Sequence, residues 1–279
     1  VAIEIHWIRD DQSLAEHCRD WHQLPFVAVD TEFMRVDTFY PKAGLIQIGD
    51  GQRAFLIDPL LIGNWQPLAD LLEDSGVVKV LHACSEDLEV LLRLTGKLPQ
   101  PLFDTQLAAG YLNLGFSMGY SRLVQEVLGI ELPKGETRSD WLQRPLSETQ
   151  VSYAAEDAVH LAELFTALRP RLSDDKYAWV LEDGAELVAA LRREVEPESL
   201  YRDVKLAWKL APSNWRCCVN CAPGASAKPA TAMCRVTASS RSTRCGPWPR
   251  ASQATCRRWP RSTRCTRAPF VRTVSSSSS

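Results

Sequence analysis

The segment Phe26-Val27-Ala28-Val29-Asp30-Thr31-Glu32-Phe33 constrains this chain more than any other. An apolar run rich in aromatic and β-branched residues, with a polar stretch behind it, predicts a β-strand. Side chains along a strand alternate between faces, so Asp30 and Glu32 share one face beside apolar surface. Two carboxylates that close repel unless positive charge lies between them. Two readings stand at this point: a hard divalent cation bound through oxygen, or a strand end with two hydrated acids.

The segments around this strand alternate between strand and helix patterns. Residues 3–8 predict a short strand, and 11–21 a helix capped by Ser13 or Asp11. Residues 44–49 and 53–58 predict two strands joined as a hairpin by Gly49-Asp50-Gly51-Gln52. A helix over 65–73 follows, with Asn64 as its cap. Residues 77–82 predict a fourth strand, and Ser85 the cap of a helix over 86–94 whose acidic first turn suits the helix dipole. Residues 103–112 and 120–128 predict helices, and 133–145 a polar, basic loop. Ser147 caps a long helix to about 168, and 174–193 predicts another. A hairpin-bearing sheet followed by helices is an α/β layer architecture.

Two of these helices carry further acids on apolar stripes. Asp87, Val90, Leu91 and Leu94 fall at i, i+3, i+4 and i+7, whereas Glu86 and Glu89 lie off that line. Tyr153, Asp157, Leu161, Leu164 and Leu168 form one face of the long helix. An ionised carboxylate on a core-facing stripe costs several kcal/mol, roughly, unless paired or metal-bound. Arg122, Arg138 and His160 are the ion-pair candidates for Asp157. Four inward acids from three segments, with no matching set of inward cations, favour a carboxylate cage for two Mg²⁺ or Mn²⁺ ions. The absence of His and Cys from the set argues against zinc.

Together, Asp30-Thr31-Glu32, His82-Ala83-Cys84-Ser85-Glu86-Asp87 and Tyr153-Ala154-Ala155-Glu156-Asp157 resemble the three motifs of the DEDD exonuclease superfamily. The Tyr-x-x-x-Asp form of the third resembles the tyrosine subgroup. Phe39-Tyr40-Pro41-Lys42-Ala43-Gly44-Leu45-Ile46-Gln47-Ile48 and Thr137-Arg138-Ser139-Asp140-Trp141-Leu142 are similar to the bacterial ribonuclease D family. The resemblance covers roughly residues 1–212. It implies an RNase H-like α/β fold, a mixed sheet flanked by helices, over a nuclease domain at 1–170. It implies that Asp30 bridges two metal ions, that Glu32 and Asp157 hold the ion activating the attacking water, and that Asp87 holds the second ion. Tyr153 would orient that water. The activity implied is 3′–5′ exoribonuclease action releasing 5′-nucleotides, as in tRNA 3′ maturation, by a cytoplasmic monomer. A DNA-directed 3′–5′ exonuclease and an inactive nucleic-acid-binding remnant are the alternatives. Phe33, Arg35, Tyr40 and His82 flank the acids and suit base stacking and phosphate contact. Lys134 and Arg138 are candidates for backbone contact.

Composition divides the chain. Residues 1–212 hold all 34 acids and 20 of the 32 basic residues, whereas 213–279 hold eleven Arg, one Lys and no acid. The net of −14 on the first part argues against broad electrostatic binding of RNA, and predicts weak, salt-sensitive grip. Only Cys18 and Cys84 of the nine cysteines lie there, which fits a reducing cytoplasm. No apolar run reaches the roughly 18 residues of a membrane span, and the first ten residues lack the basic and apolar regions of a secretory leader. Residues 171–212 read as a helical linker toward an HRDC domain, the module that follows the nuclease in the family. From Ser213 the resemblance stops. Trp215, Cys218 and Cys221 each follow a residue whose codons end in C or T. Read one base earlier, each becomes Leu, and Cys217 becomes Leu, Val or Met. The shifted frame thus restores apolar residues at helical spacing, so 213–279 reads as a frameshifted, disordered tail.

Overall fold

The computed structural model describes residues 3–35, 38, 40–132 and 139–192 of the 279. Lys134, Arg138, the stretch over 193–212 and the tail from 213 lie outside the described residues. The chain divides into two units. The first, residues 1–34 and 41–193, carries every element named below. The second comprises 35–40 and 194–277. Arg35, Thr38 and Tyr40 are its described residues, and there the Thr38 hydroxyl donates to the Tyr40 carbonyl at 2.6 Å.

Six strands form one mixed sheet. They are β1 (Glu4–Ile8), β2 (Phe26–Met34), β3 (Lys42–Gly49), β4 (Arg53–Ile57), β5 (Val78–Leu81) and β6 (Leu102–Asp104), in the order β1-β4-β3-β2-β5-β6. The β2–β3 and β3–β4 pairs are antiparallel, while β1–β4, β2–β5 and β5–β6 are parallel. The helices are α1 (Asp11–Trp21), α2 (Gln66–Glu73), α3 (Ser85–Thr95), α4 (Thr105–Tyr111), α5 (Tyr120–Leu128), α6 (Glu148–Leu168) and α7 (Asp174–Arg192). No helix among the described residues is long and apolar enough to cross a membrane.

The two-residue period of β2 sorts its side chains between two helical layers. Val27 and Val29 join Ile46, Ile48, Phe55 and Ile57 in a core with Leu14 and Trp21 of α1, Leu68 and Leu71 of α2, and Leu88 and Leu91 of α3. Ala28 faces the other way, with Val80 and Phe103 against Leu161, Leu164 and Phe165 of α6. Each such buried side chain contributes about 1.5–3 kcal/mol relative to exposure, which is what lays α6 across the sheet. The approach is tightest at Gly49, where a Cβ would lie 2.2 Å from the Ala158 carbonyl oxygen. At Gly184 of α7 an added Cβ would likewise run into the Leu102 carbonyl oxygen of β6.

The hairpin, the long helix and its Ser147 cap are as the sequence predicts. Ser147 and Gln150 form a reciprocal capping box. Other boundaries differ. Asp10, not Ser13 or Asp11, caps α1, accepting from the Ser13 N–H at 2.8 Å. Trp65 and Cys84 hold the capping positions of α2 and α3 without side-chain bonds, one residue from the expected Asn64 and Ser85. The helix expected over 103–112 begins as a strand, because Leu102–Asp104 finds β5 as a parallel partner. Asp104 then caps α4 through the Gln106 N–H at 2.7 Å.

Candidate active site

The acids collect at the carboxyl end of β2. Asp30 and Glu32 share the α6 face of the strand, and α6 lowers Asp157 toward them. Carboxylate oxygens of the three lie within 4.8 Å of one another. Asp87 approaches from the opposite layer. It sits in the first turn of α3, and Thr31, which points to that side of β2, donates from its hydroxyl to Asp87 Oδ1 at 2.5 Å. Sequence periodicity placed four inward acids; the structure groups three tightly and sets Asp87 beside them across the strand end.

Burial raises all four carboxylates, and repulsion adds to it at Glu32, Asp87 and Asp157. Desolvation pushes Asp30 up to about 6 against a hydrogen bond from the Thr31 N–H. Desolvation raises Glu32 most, followed by the charges of Asp30, Asp157 and Asp87. Asp87 and Asp157 rise well above the ordinary range, by desolvation first and the charge of Asp30 second. Asp30 and Glu32 nonetheless keep part of their surface open. A concave floor explains both facts: protein surrounds the groups, yet the cleft still reaches them. Of the ion-pair candidates for Asp157, His160 bonds Glu163 at 2.8 Å, Arg122 is exposed, and Arg138 lies outside the described residues.

Tyr153 stands one turn before Asp157, and its hydroxyl lowers that carboxylate by hydrogen bonding. Desolvation, then the charges of Asp157, Glu32 and Asp30, push its own pKa far up, so the phenol stays protonated. Behind it lies Trp141, buried, with ring centroids 6.2 Å apart. The Trp141 main chain rests on Gly44, where a Cβ would come within 2.6 Å of the Trp141 Cβ. Gly44 is the residue skipped in the register shift between Glu32 and Phe33, a β-bulge beside the acids. Arg144 fastens this segment: its Nε and Nη2 bond Asp58 at 2.6 and 2.7 Å, and Nη2 also bonds the Gly44 carbonyl at 2.7 Å.

The corner between β5 and α3 is held by Asp104, which is buried and accepts from the Ala83 N–H at 3.1 Å and the Cys84 N–H at 3.2 Å. Ala83 has φ of 50°, a left-handed conformation that costs a non-glycine residue about 1–3 kcal/mol. This corner aims Asp87. Asp104 escaped the sequence reading because 103–112 looked wholly helical; the Asp104-Thr105 pair as a helix cap was the available signal.

Of the candidate substrate contacts, Phe33 lies on β2 next to the bulge, and Arg35 and Tyr40 fall in the segment between β2 and β3. His82 is largely enclosed. Its Nδ1 meets Thr105 Oγ1 at 2.9 Å, and its ring stands edge-on to Tyr120 at 5.4 Å. Thr105 Oγ1 also lies 3.2 Å from the Leu81 carbonyl, to which it donates. Tyr120, another residue periodicity did not single out, donates to the Asp157 carbonyl at 2.8 Å.

An α/β sheet with acids from a central strand and two flanking helices at one strand end defines a nuclease-like site, and the chain belongs to the 3′–5′ exonuclease family, whose model matches residues 5–173. Within that family it is similar to ribonuclease D. The Pseudomonas paraeruginosa ribonuclease D is 68% identical over 212 residues, 76% of this chain and 56% of that protein. The crystal structure of Escherichia coli RNase D, an exoribonuclease involved in structured RNA processing, matches with a TM-score of 0.71 at 39% identity, over 80% of this chain and 60% of that one. Brucella melitensis NrnC with bound Mg²⁺ matches at 0.55 and 28% identity, over 68% of this chain and 91% of that one. The chain thus spans little more than half the length of the ribonuclease D proteins it matches.

Proposed function

We propose that this chain is a metal-dependent 3′–5′ exoribonuclease that removes 5′-nucleotides from RNA 3′ ends, with tRNA precursors as a substrate class, acting as a monomer. One observation carries the proposal: Asp30, Glu32 and Asp157 crowd within 4.8 Å, in surroundings that disfavour their charge. An all-carboxylate donor set fits a hard divalent cation, Mg²⁺ or Mn²⁺. Asp30, Glu32, Asp157 and Asp87 would hold two such ions. The RNA preference rests on the ribonuclease D relatives, and Mg²⁺ on the metal-bound NrnC.

Bound cations would supply charge stabilisation at the phosphate and a water of lowered pKa. The chain's own residues do the rest. Tyr153, held protonated, donates and orients, and does not take the proton. Thr31 keeps Asp87 facing the strand end, and Tyr120 ties the main chain at Asp157. Phe33, Tyr40 and His82 would meet the terminal bases, and Arg35, Lys134 and Arg138 the phosphates. The net charge of −14 over residues 1–212 makes that grip weak at high salt. The tail from 213 is proposed to be a frameshifted addition that supplies none of the chemistry.

The test is a time course of the full chain on 5′-labelled RNA with a single-stranded 3′ end, with Mg²⁺, Mn²⁺ or chelator, beside Asp30→Ala. A metal-dependent ladder shortening from the 3′ end and missing in the variant is expected. A folded protein that yields no ladder at high enzyme and low salt would sink the proposal. A matched DNA oligonucleotide cut as fast would move the substrate class to DNA.

A further inference from the structure

Gln47 is wholly buried, and neither its Nε2 nor its Oε1 has a hydrogen-bond partner among the described residues. Leaving such a group unsatisfied costs about 1–3 kcal/mol. Its strand neighbours are apolar: it pairs with Leu56 on β4, and two residues before it is Leu45, both in a cluster with Ala154 and Trp141, whose indole Nε1 is likewise without a partner among the described residues. A methionine or leucine would fill the same space without orphaned atoms.

Its register supplies the reason. Gln47 on β3 is the cross-strand partner of Asp30 on β2. Directly paired residues project to the same face with Cβ atoms about 5 Å apart, so the Gln47 and Asp30 side chains leave the sheet side by side toward α6. Two of the other acids have side-chain support: Asp87 from the Thr31 hydroxyl and Asp157 from the Tyr153 hydroxyl. The hydrogen bond on Asp30 comes from the main-chain N–H of Thr31. The orphaned donor therefore leaves the sheet beside an acid held by a main-chain hydrogen bond.

We propose that Gln47 is a positioning residue for Asp30: its Nε2–H donates to the Asp30 carboxylate when a divalent cation is held, fixing the rotamer in which that carboxylate meets the cation. This rests on the metal-dependent reading of the site. A carboxylate ligand with an ordered outer oxygen binds metal more tightly, and loss of such support typically lowers metal affinity 10–100-fold, roughly.

The experiment follows cation binding by the full chain without RNA, as thermal stabilisation across a Mg²⁺ or Mn²⁺ titration, for wild type and Gln47→Met. The expected result has two parts. Metal-free Gln47→Met melts no lower than wild type, because two orphaned atoms are gone. Its half-saturating cation concentration rises about 10–100-fold. A purely structural role would instead lower the metal-free melting temperature and leave half-saturation unchanged, which overturns the proposal. Wild type that binds no cation at all overturns the metal-dependent reading and this proposal together, so the two failures are distinct. A second measurement needs no Gln47 variant. The assigned side-chain amide signals of Gln47 in ¹⁵N-labelled protein should shift on cation addition in wild type and stay fixed in Asp30→Asn; signals that never move in wild type overturn the assignment.

Discussion

Two paired parallel strands, β2 and β5, bury charge at opposite ends and resolve it in opposite ways. Near the amino end of β5, Lys79 is fully buried, and its Nζ donates to the carbonyls of Asp74, Val77 and Gln100, each at 2.6 Å. All three ammonium donors are used, and desolvation still draws its pKa down to about 8. At the carboxyl end of β2, three carboxylates face one another, and the charges that act on Glu32 are all negative. The first arrangement is complete within the chain and serves stability. The second would gain from an external cation, and the fold holds it in place at a cost.

The largest expected effect is at the acid end. Asp30→Asn should lower RNA cleavage by roughly three orders of magnitude, the several kcal/mol of charge stabilisation that bound metal supplies. Its metal-free melting temperature should not fall, since one buried like charge is removed. Lys79→Met should do the reverse. It takes a charged donor from three carbonyls and should cost about 3 kcal/mol of stability by denaturant unfolding, while folded molecules keep their cation half-saturation. If Lys79→Met instead shifts cation binding, the two ends are coupled and the contrast breaks.

Tyr153→Phe sharpens the acid end. Losing one hydrogen bond to a charged group, about 1.5–3 kcal/mol, should lower kcat roughly 10–100-fold and raise the cation half-saturation as well, because the same hydroxyl supports Asp157. The pH dependence of stability gives a smaller effect of known sign. A folded-state pKa raised to about 6 on Asp30 means that the folded protein binds a proton the unfolded chain has released. The contribution of Asp30 to metal-free stability is then full below about pH 4 and lost as pH rises through about 6. Mg²⁺ at neutral pH should offset that loss, and Asp30→Asn should remove it; a slope between about pH 5 and pH 8 that Asp30→Asn leaves unchanged would contradict the raised pKa. Smallest is Ser147→Ala at the start of α6, which serves neither end. It should cost about 1 kcal/mol in unfolding and leave cation binding alone.

Local period made much of this site legible in advance. The two-residue repeat of β2 put Asp30 and Glu32 on one face, and the helical repeat of α6 put Asp157 and Tyr153 on the buried stripe. The Ser147 cap and the Gly51 turn are equally local, since a cap or a turn depends on residues within a few positions. The boundaries that shifted did so for tertiary reasons. Residues 102–104 are strand only because β5 lies alongside, and Asp104 becomes a clamp only because the Ala83–Cys84 corner arrives next to it.

What the sequence alone determined, then, is which acids face inward and which elements carry them, because a side chain's direction follows from its own strand or helix. What only the tertiary structure decided is who meets whom. Asp87 stands across the strand end from the other three, Arg144 reaches Asp58, Lys79 finds its carbonyls, and Gln47 falls opposite Asp30 on an adjacent strand. Those partners are set by strand register and layer packing, which depend on the whole chain folding at once and leave no trace in the spacing of any one segment.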